Sequence, residues 1–176
     1  MTEAPSMTQN WPLPDPAPLF ARLEALGIAH KTLHHAPTAT VAEGKDIKAA
    51  LPGGHSKNLF MKDKDGALVL ISALADADLR LNQLHKAIGT KRLSFTGPEL
   101  LHASLGVWPG SVCAFALMND TQGQVRFVLD KGFFDHETVY FHPLRNDMTT
   151  GIASADLIRF AQDTGHPPVL FDPALL

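Results

Sequence analysis

The stretch "NLFMKDKDGALVLIS", residues 58–72, constrains the fold of this chain more than any other segment. Residues 59–61 form one apolar run, and residues 67–71 form a second. The polar residues between them end in Asp65-Gly66, and Asp-Gly is one of the strongest sequence signals for a tight turn between antiparallel strands. We therefore expect a β-hairpin whose two strands are largely buried.

Helical and strand-like patterns are interleaved along the rest of the chain. Helices are predicted over residues 16–27, 40–51, 76–89, 96–106 and 154–165, and further strands at 28–35, 91–95, 111–118, 124–130, 137–143 and 167–171. Several strand pairs are hairpins, and the turn "NDTQG" is expected to join the strands 111–118 and 124–130. The pattern predicts a mixed α/β, α+β-like fold in which helices flank a central mixed, mostly antiparallel sheet.

The totals are those of a globular protein with one domain. The chain has 176 residues, of which 45% are apolar and 19% are charged. We assign residues 16–176 to a single domain, expected to be monomeric, and the proline-rich residues 1–15 to a flexible N-terminal arm. Cys113 is the one cysteine, which excludes a disulfide framework and favours the cytoplasm. No apolar run approaches the ~18 residues of a transmembrane helix.

Charge gives a weaker indication of the partner. The net charge of -3 argues against a basic nucleic-acid binder as a whole. However, residues 79–98 carry four basic and no acidic side chains, and residues 44–64 also carry an excess of lysine. Such local excesses would steer a phosphate-rich ligand to one face. A solvated surface with scattered lysines explains the same pattern.

Most familiar catalytic motifs are missing from the sequence. The nine histidines are not accompanied by cysteines or carboxylates at zinc-ligand spacing. There is no P-loop, no GxGxxG after a strand and no G-x-S-x-G elbow. Metal-dependent, nucleotide-hydrolysing and serine-hydrolase chemistry are therefore disfavoured, and we expect no metal and no cofactor. Cys113 lies in an apolar run and is interpreted as a small buried hydrophobe.

Three polar features stand at the ends of predicted strands, where polar groups converge on clefts. The first is the pair Lys57-Asn58, which stands at the mouth of the hairpin. The second is "GVWPGSV", residues 106–112, which brings backbone N–H groups to the start of a buried strand. The third is residues 141–152, where a strand ends at His142 and the remainder is predicted to be a loop before a helix. Turn formation and capping explain each feature alone, but less readily all three together.

The same features, in this order, resemble a known family. The matching stretches are "HHAPTATVAE" (34–43), "HSKNLFMKDKDGALVLIS" (55–72), "RLSFTGPELLHASLGVWPGSVCAFALMND" (92–120) and "VYFHPLRNDMTTGI" (139–152). Together they resemble the YbaK/prolyl-tRNA-synthetase editing-domain superfamily, and within it the freestanding prolyl-tRNA editing proteins that deacylate Ala-tRNA(Pro). The resemblance spans roughly residues 16–172.

The resemblance implies a metal-independent ester hydrolase that acts on mischarged tRNA, and it assigns roles to particular positions. The residues implied in catalysis are Lys57, Asn58, Gly106, Gly110 and His142. The residues expected to bind the substrate are Phe60, Met61, Pro109, Ser111, Phe141, Asn146 and Thr149. For the two phenylalanines and the methionine among them, a plain core position is an equally good interpretation.

The implied chemistry uses few protein groups. No general base is evident, and the resemblance suggests that the neighbouring ribose hydroxyl helps to orient the water. Lysine is ordinarily a cation at neutral pH, so an electrostatic role is expected for Lys57. Amide groups of the 106–111 turn are candidates for polarising the ester carbonyl. A pocket sized for alanine would exclude the larger ring of proline.

The expected partner is tRNA(Pro) mischarged with alanine, with prolyl-tRNA synthetase or an elongation factor as further candidates, and no membrane. Two alternatives stay open. One keeps the chemistry but changes the substrate to Cys-tRNA(Pro) or another misacylated tRNA. The other is a binding module that recognises tRNA ends without catalysis.

Overall fold

The computed structural model describes residues 10–37 and 41–176. The helices are α1 (Ala17–Ala25), α2 (Val41–Ala50), α3 (Leu81–Ile88), α4 (Pro98–Leu105) and α5 (Ser154–Asp163). The strands are β1 (His30–His34), β2 (Gly54–Lys62), β3 (Leu68–Leu74), β4 (Ser94–Phe95), β5 (Val125–Asp130), β6 (Thr138–Phe141), β7 (Met148–Ala153) and β8 (Val169–Phe171). Three short 3-10 helices cover Ala114–Asn119, Lys131–Asp135 and Pro173–Leu175. The predicted helix start at Thr40 and residues 1–9 of the predicted arm lie outside the described residues.

The strands form one mixed sheet in the order β1-β7-β6-β2-β3-β5-β8, with β4 paired to β2. The β1/β7, β6/β7, β2/β3 and β2/β4 pairs are antiparallel. The β2/β6, β3/β5 and β5/β8 pairs are parallel. Helices flank this sheet, which confirms the predicted fold class.

The hairpin predicted from the Asp-Gly turn is present and joins β2 to β3. The side chain of Asp63 fixes the turn, because its Oδ1 atom accepts hydrogen bonds from the backbone N–H groups of Asp65 at 2.9 Å and Ala67 at 3.0 Å. Gly66 has a φ of +85°, a conformation that glycine adopts at little cost. The strand β2 is longer than predicted and begins at Gly54.

The hairpin is buried on both faces, because alternate residues of a strand point to opposite sides of a sheet. Phe60 and Leu70 join the larger core, which includes buried residues of α1, α4 and α5. Met61 and Val69 point the other way, into a smaller core beneath α3. None of the helices in the described part of the chain has the length and apolar character needed to span a bilayer.

Two predictions of local structure were wrong. The run 111–118 is not a strand of a hairpin, because Ala114–Asn119 forms a 3-10 helix. Its residues 114–117 are all buried, and a continuous apolar run does not distinguish a buried strand from a buried helical turn. The end of the segment 141–152, predicted to be a loop, is the strand β7 (Met148–Ala153).

The threonines of β7 explain this second difference. Thr149 and Thr150 are β-branched residues, which favour strands. Both are buried, yet their hydroxyl groups have partners. The Oγ1 atom of Thr150 lies 2.8 Å from Oγ1 of Thr32 on β1, and Oγ1 of Thr149 lies 2.8 Å from Nε2 of His35.

Candidate functional site

The central strand β2 has an open stretch along one edge. It pairs with β6 only at Gly54 and His55, and with β4 only at Met61 and Lys62. Among the described residues, no strand pairs with residues 56–60 along that edge.

The hydrogen-bond alternation shows which backbone groups the open edge presents. The N–H of Ala75 donates to the carbonyl of His55 at 2.9 Å, so the odd-numbered residues of β2 bond to β3. The backbone groups of Ser56, Asn58 and Phe60 therefore point to the opposite, open edge. Buried strand edges normally have partners, and a ligand could pair with this one.

A cavity of about 350 Å³ lies at this open edge. Its walls come from β2, from the residues around β4, from α4, from the turn after α4 and from the end of β6. The residues that line it are Ser56, Lys57, Asn58, Leu59, Phe60, Phe95, Thr96, Leu101, Pro109, Gly110, Val112 and His142. The structure thus brings together parts of all three polar features singled out in the sequence.

The side chain of Asn58 is held by a chain of hydrogen bonds. The hydroxyl of Ser72 on β3 donates to Oδ1 of Asn58 at 2.5 Å. Nδ2 of Asn58 donates to Oγ of Ser56 at 3.1 Å, and that hydroxyl donates to the carbonyl of Tyr140 at 2.8 Å. The network fixes the orientation of the amide and leaves the second N–H of Nδ2 as a donor for a ligand.

Lys57 projects from the face of β2 opposite to that of Asn58, because the two are neighbours on a strand. Its Nζ atom donates to the carbonyl of Ala77, in the segment after β3. Residue Lys57 also lines the cavity. Ala77, whose carbonyl restrains the ammonium group, lines a second cavity of about 450 Å³ instead.

His142 follows the last residue of β6, and its ring has a defined tautomer. Nδ1 lies 2.8 Å from the carbonyl oxygen of Met148. Because a carbonyl oxygen only accepts, Nδ1 carries the proton, and in the neutral ring Nε2 is an acceptor. Burial lowers the pKa of His142 below its ordinary value of 6.5, and the nearby ring of His35 lowers it further. The neutral ring therefore predominates at neutral pH.

The turn that carries Pro109 and Gly110 forms part of the cavity wall. The N–H of Ser111 donates to the carbonyl of Trp108 at 3.0 Å, and Gly110 has a φ of +91°. These are the features of a type II turn, with proline first and glycine second in the two central positions. The sequence "WPGS" thus specifies the shape of this wall.

The remaining predicted site residues do not line the cavity. Met61 and Phe141 are core side chains, and Ser111 is buried with 2% of its surface exposed. Thr149 contacts His35 behind His142. Asn146 is half-buried in the segment between β6 and β7.

Gly106, another predicted site residue, lies outside the cavity and ends a helix. It is the left-handed residue that ends α4, with a φ of +68°. A Cβ atom there would lie 2.8 Å from Nδ2 of Asn119, and that amide donates to the carbonyl of Leu105 at 2.9 Å. The glycine therefore permits a contact that fastens the end of α4 to the following 3-10 helix.

Sequence reasoning missed several residues of the site. Ser72 is fully buried, and its only sequence signal is a single hydroxyl within the apolar run of β3. Ser56, Thr96 and Leu101 also line the cavity, but their positions depend on the packing of separate elements. In the described part of the chain, no three His, Cys, Asp or Glu side chains are grouped as they would be in a metal site.

Comparison with known proteins identifies the family of the chain. The family described as "Aminoacyl-tRNA editing domain" matches residues 35–160, which include every residue that lines the cavity. The chain is 38% identical over 161 residues to "Prolyl-tRNA synthetase associated domain-containing protein 1" of Bos taurus, covering 89% of this chain and 94% of the relative.

A bacterial relative and a solved structure are also similar. The chain is 30% identical over 149 residues to "Prolyl-tRNA editing protein ProX" of Acetoanaerobium sticklandii, covering 84% of this chain and 91% of that protein. A structure described as "Crystal structure of a putative trans-editing enzyme for prolyl tRNA synthetase" superimposes with a TM-score of 0.67 at 18% identity, covering 92% of this chain and 99% of the other. At that identity the likeness shows the fold.

Proposed function

Because the chain belongs to the aminoacyl-tRNA editing domain family, we propose that it is a trans-editing deacylase that hydrolyses the alanyl ester of mischarged Ala-tRNA(Pro). The bacterial relative is named as a prolyl-tRNA editing protein, which supports this substrate class. The observation that carries the proposal is the pairing of a fixed donor and a fixed acceptor in one small cavity. These are Nδ2 of Asn58 and Nε2 of His142.

An aminoacyl ester presents groups that match this pair. Its carbonyl oxygen accepts hydrogen bonds and gains negative charge as water attacks, and its α-ammonium donates. Nδ2 of Asn58 and the amide groups of the Trp108–Ser111 turn are donors for the carbonyl oxygen. Nε2 of the neutral His142 ring accepts from the α-ammonium and so orients the amino acid.

Among the described residues that line the cavity there is no carboxylate, and Nε2 of His142 is engaged by the ammonium in this scheme. We therefore assign the positioning of the water to the neighbouring ribose hydroxyl of the substrate. Water adds to the carbonyl carbon, and the bond to the ribose oxygen then breaks. The proton from the water passes to that leaving oxygen, which yields alanine and a free tRNA end.

Lys57 contributes charge in this scheme. The ammonium of Lys57, a residue that lines the cavity, donates one N–H to the carbonyl of Ala77 and keeps two N–H groups for the phosphate of the terminal nucleotide. An ammonium that is already hydrogen-bonded needs little reorganisation when the substrate binds.

Selectivity for alanine is assigned to the walls of the cavity. Phe60, Leu101 and Val112 supply apolar surface to the cavity, and the Pro109–Gly110 turn supplies a further part of its wall. A rigid wall excludes a larger side chain by steric overlap, and this discriminates more strongly than the loss of one methylene contact, worth about 1–3 kcal/mol.

The proposal is tested by measuring deacylation of Ala-tRNA(Pro), Cys-tRNA(Pro) and Pro-tRNA(Pro) by the purified protein with a metal chelator present. We expect rapid loss of alanine and persistence of proline. Faster loss of cysteine would reassign the substrate, and binding of the tRNAs with no hydrolysis would favour a binding module. Cytoplasmic action as a monomer on free mischarged tRNA is part of the same proposal.

A further inference from the structure

Residues 10–16 precede α1, and Trp11 in this segment stacks on Trp108. The two indole rings have centroids 4.9 Å apart and are inclined by only 5°. Trp108 also stacks on His102 of α4, with centroids 4.1 Å apart and an inclination of 13°. Trp108 begins the turn that carries Pro109 and Gly110, so Trp11 rests against the residue next to a wall of the cavity.

The same segment is also attached to the stretch of chain that follows His142. The carbonyl of Pro14 accepts a hydrogen bond from Nη1 of Arg145 at 3.2 Å. Two hydrogen bonds to Asp147, of 2.6 and 2.7 Å, hold the guanidinium group of Arg145. Arg145 and Asp147 lie between His142 and Met148, whose carbonyl fixes the His142 ring.

Trp11 and Pro14 therefore connect two stretches of chain that are far apart in the sequence, the Trp108–Ser111 turn and the segment that follows His142. The turn contributes Pro109 and Gly110 to the cavity, the second stretch directly follows the cavity residue His142, and neither is a strand of the sheet at that point. We propose that Trp11 is a positioning residue, which holds the Pro109–Gly110 wall in place for the reaction. The activity part of this inference rests on the proposed deacylase function.

The chain offers a matched pair of variants for a test, because Trp11 and Trp108 are its two tryptophans. In both Trp11→Ala and Trp11→Phe, Trp108 is the sole tryptophan, and only Trp11→Phe retains a ring at position 11 to cover it. Nε1 of Trp11 is buried without a hydrogen-bond partner in the described structure. Phenylalanine lacks this N–H group, so it should dock at no cost in hydrogen bonding.

The first readout does not depend on activity. Acrylamide quenching of Trp108 fluorescence and hydrogen exchange of residues 106–111 should both be higher in Trp11→Ala than in Trp11→Phe. Exchange in Trp11→Phe should match the wild type. Phe134→Ala, at an exposed aromatic with 38% of its surface accessible, is the control and should leave exchange of residues 106–111 unchanged. Equal quenching and equal exchange in the two Trp11 variants would overturn the proposal.

The second readout is the kinetics of Ala-tRNA(Pro) deacylation. We expect Trp11→Ala to lower kcat by about tenfold to a hundredfold with a smaller change in KM, and Trp11→Phe to restore kcat. Altered exchange with unchanged kcat would overturn the positioning role. If the wild type hydrolyses no aminoacyl ester, the proposed function fails by itself. In that case, hydrogen exchange of residues 106–111 is measured in the presence of an unreactive alanyl-amide analogue of the tRNA end. A positioning role requires that the analogue protects these residues less in Trp11→Ala than in the wild type.

Discussion

The Nδ1 atom of His142 lies 2.8 Å from the carbonyl oxygen of Met148, and this contact sets the tautomer of the histidine. The backbone of β7 thus determines which nitrogen is available as an acceptor in the cavity. Burial lowers the pKa of His142 below 6.5, so the accepting form is present at neutral pH.

This geometry predicts how deacylation depends on pH. Protonation at Nε2 removes the acceptor, so kcat/KM should be level above pH about 6.5 and should fall only at a lower pH, set by the depressed pKa. The measurement is a pH profile of Ala-tRNA(Pro) hydrolysis from pH about 5 to 8. The variant His142→Asn should be slower and should lack the acidic limb. An unchanged limb in that variant would refute the assignment to His142.

Protonation of His142 also affects the free energy of unfolding, and the direction of the pKa shift determines the sign of this effect. The pKa values of His142 and His55 are lowered in the folded state, for both chiefly by burial. The unfolded chain therefore binds more protons below pH about 6.5, and the free energy of unfolding should decrease as the pH falls through that region. Urea denaturation at pH values between about 5 and 7.5 measures this slope. The variant His142→Asn should show a shallower slope than the wild type.

Ser72 should matter for activity although it does not line the cavity. The variant Ser72→Ala removes the donor to Oδ1 of Asn58 and allows the amide to turn. We expect kcat to fall about tenfold, with a loss of about 1–3 kcal/mol of stability for the unsatisfied oxygen. Ser56→Ala, which removes the partner of Nδ2 in the same network, is the companion variant. Full activity in Ser72→Ala would show that the network does not orient Asn58.

Substitution of Gly106 and of Gly110 by alanine should have different effects on stability and on catalysis. Gly106→Ala introduces a side chain at a φ of +68° against Asn119, and should cost about 1–2 kcal/mol or more in stability with little direct effect on chemistry. Gly110→Ala distorts the turn that walls the cavity, and should also lower kcat. Thermal unfolding and single-turnover deacylation on the same preparations distinguish them. A selective loss of catalysis in Gly106→Ala would restore it to the site.

A buried pair remote from the cavity provides a test of the fold alone. Oδ2 of Asp120 lies 2.7 Å from Nε2 of His166 and accepts from the N–H of Val125 at 2.8 Å. These hydrogen bonds outweigh burial and lower the pKa of Asp120, so its stabilising effect is present above pH about 4 and is lost as the pH falls further. Asp120→Ala leaves buried donors without an acceptor and should cost about 1–3 kcal/mol in urea denaturation at pH 7. A loss below about 1 kcal/mol would contradict this account.

The sequence was sufficient where a local pattern decided the structure. The Asp-Gly turn predicted the hairpin, and the succession of helices and hairpins predicted a mixed sheet. The "WPGS" turn was recognisable from its proline and glycine. The 3-10 helix at Ala114–Asn119 was not predictable from an unbroken apolar run, which carries no periodicity.

The candidate site was only partly accessible from the sequence. Lys57, Asn58 and His142 were noticed as polar residues at the ends of predicted strands and were assigned to the site by the family resemblance, although Lys57 and Asn58 lie inside β2. The opening along β2 was not predicted, because it arises where β6 and β4 each pair with only two residues along the same edge of β2. Likewise, the contact of Trp11 with Trp108 joins residues far apart in the chain and has no local sequence signal.

The central claim is that the cavity beside Lys57 and Asn58 is where the alanyl ester is hydrolysed. The most direct test is single-turnover hydrolysis of Ala-tRNA(Pro) by the wild type, Lys57→Ala and Asn58→Ala, with folding of each variant checked by thermal unfolding. We expect rapid hydrolysis by the wild type and a rate lowered by at least about a hundredfold in both folded variants. Hydrolysis at the wild-type rate by either folded variant would contradict it.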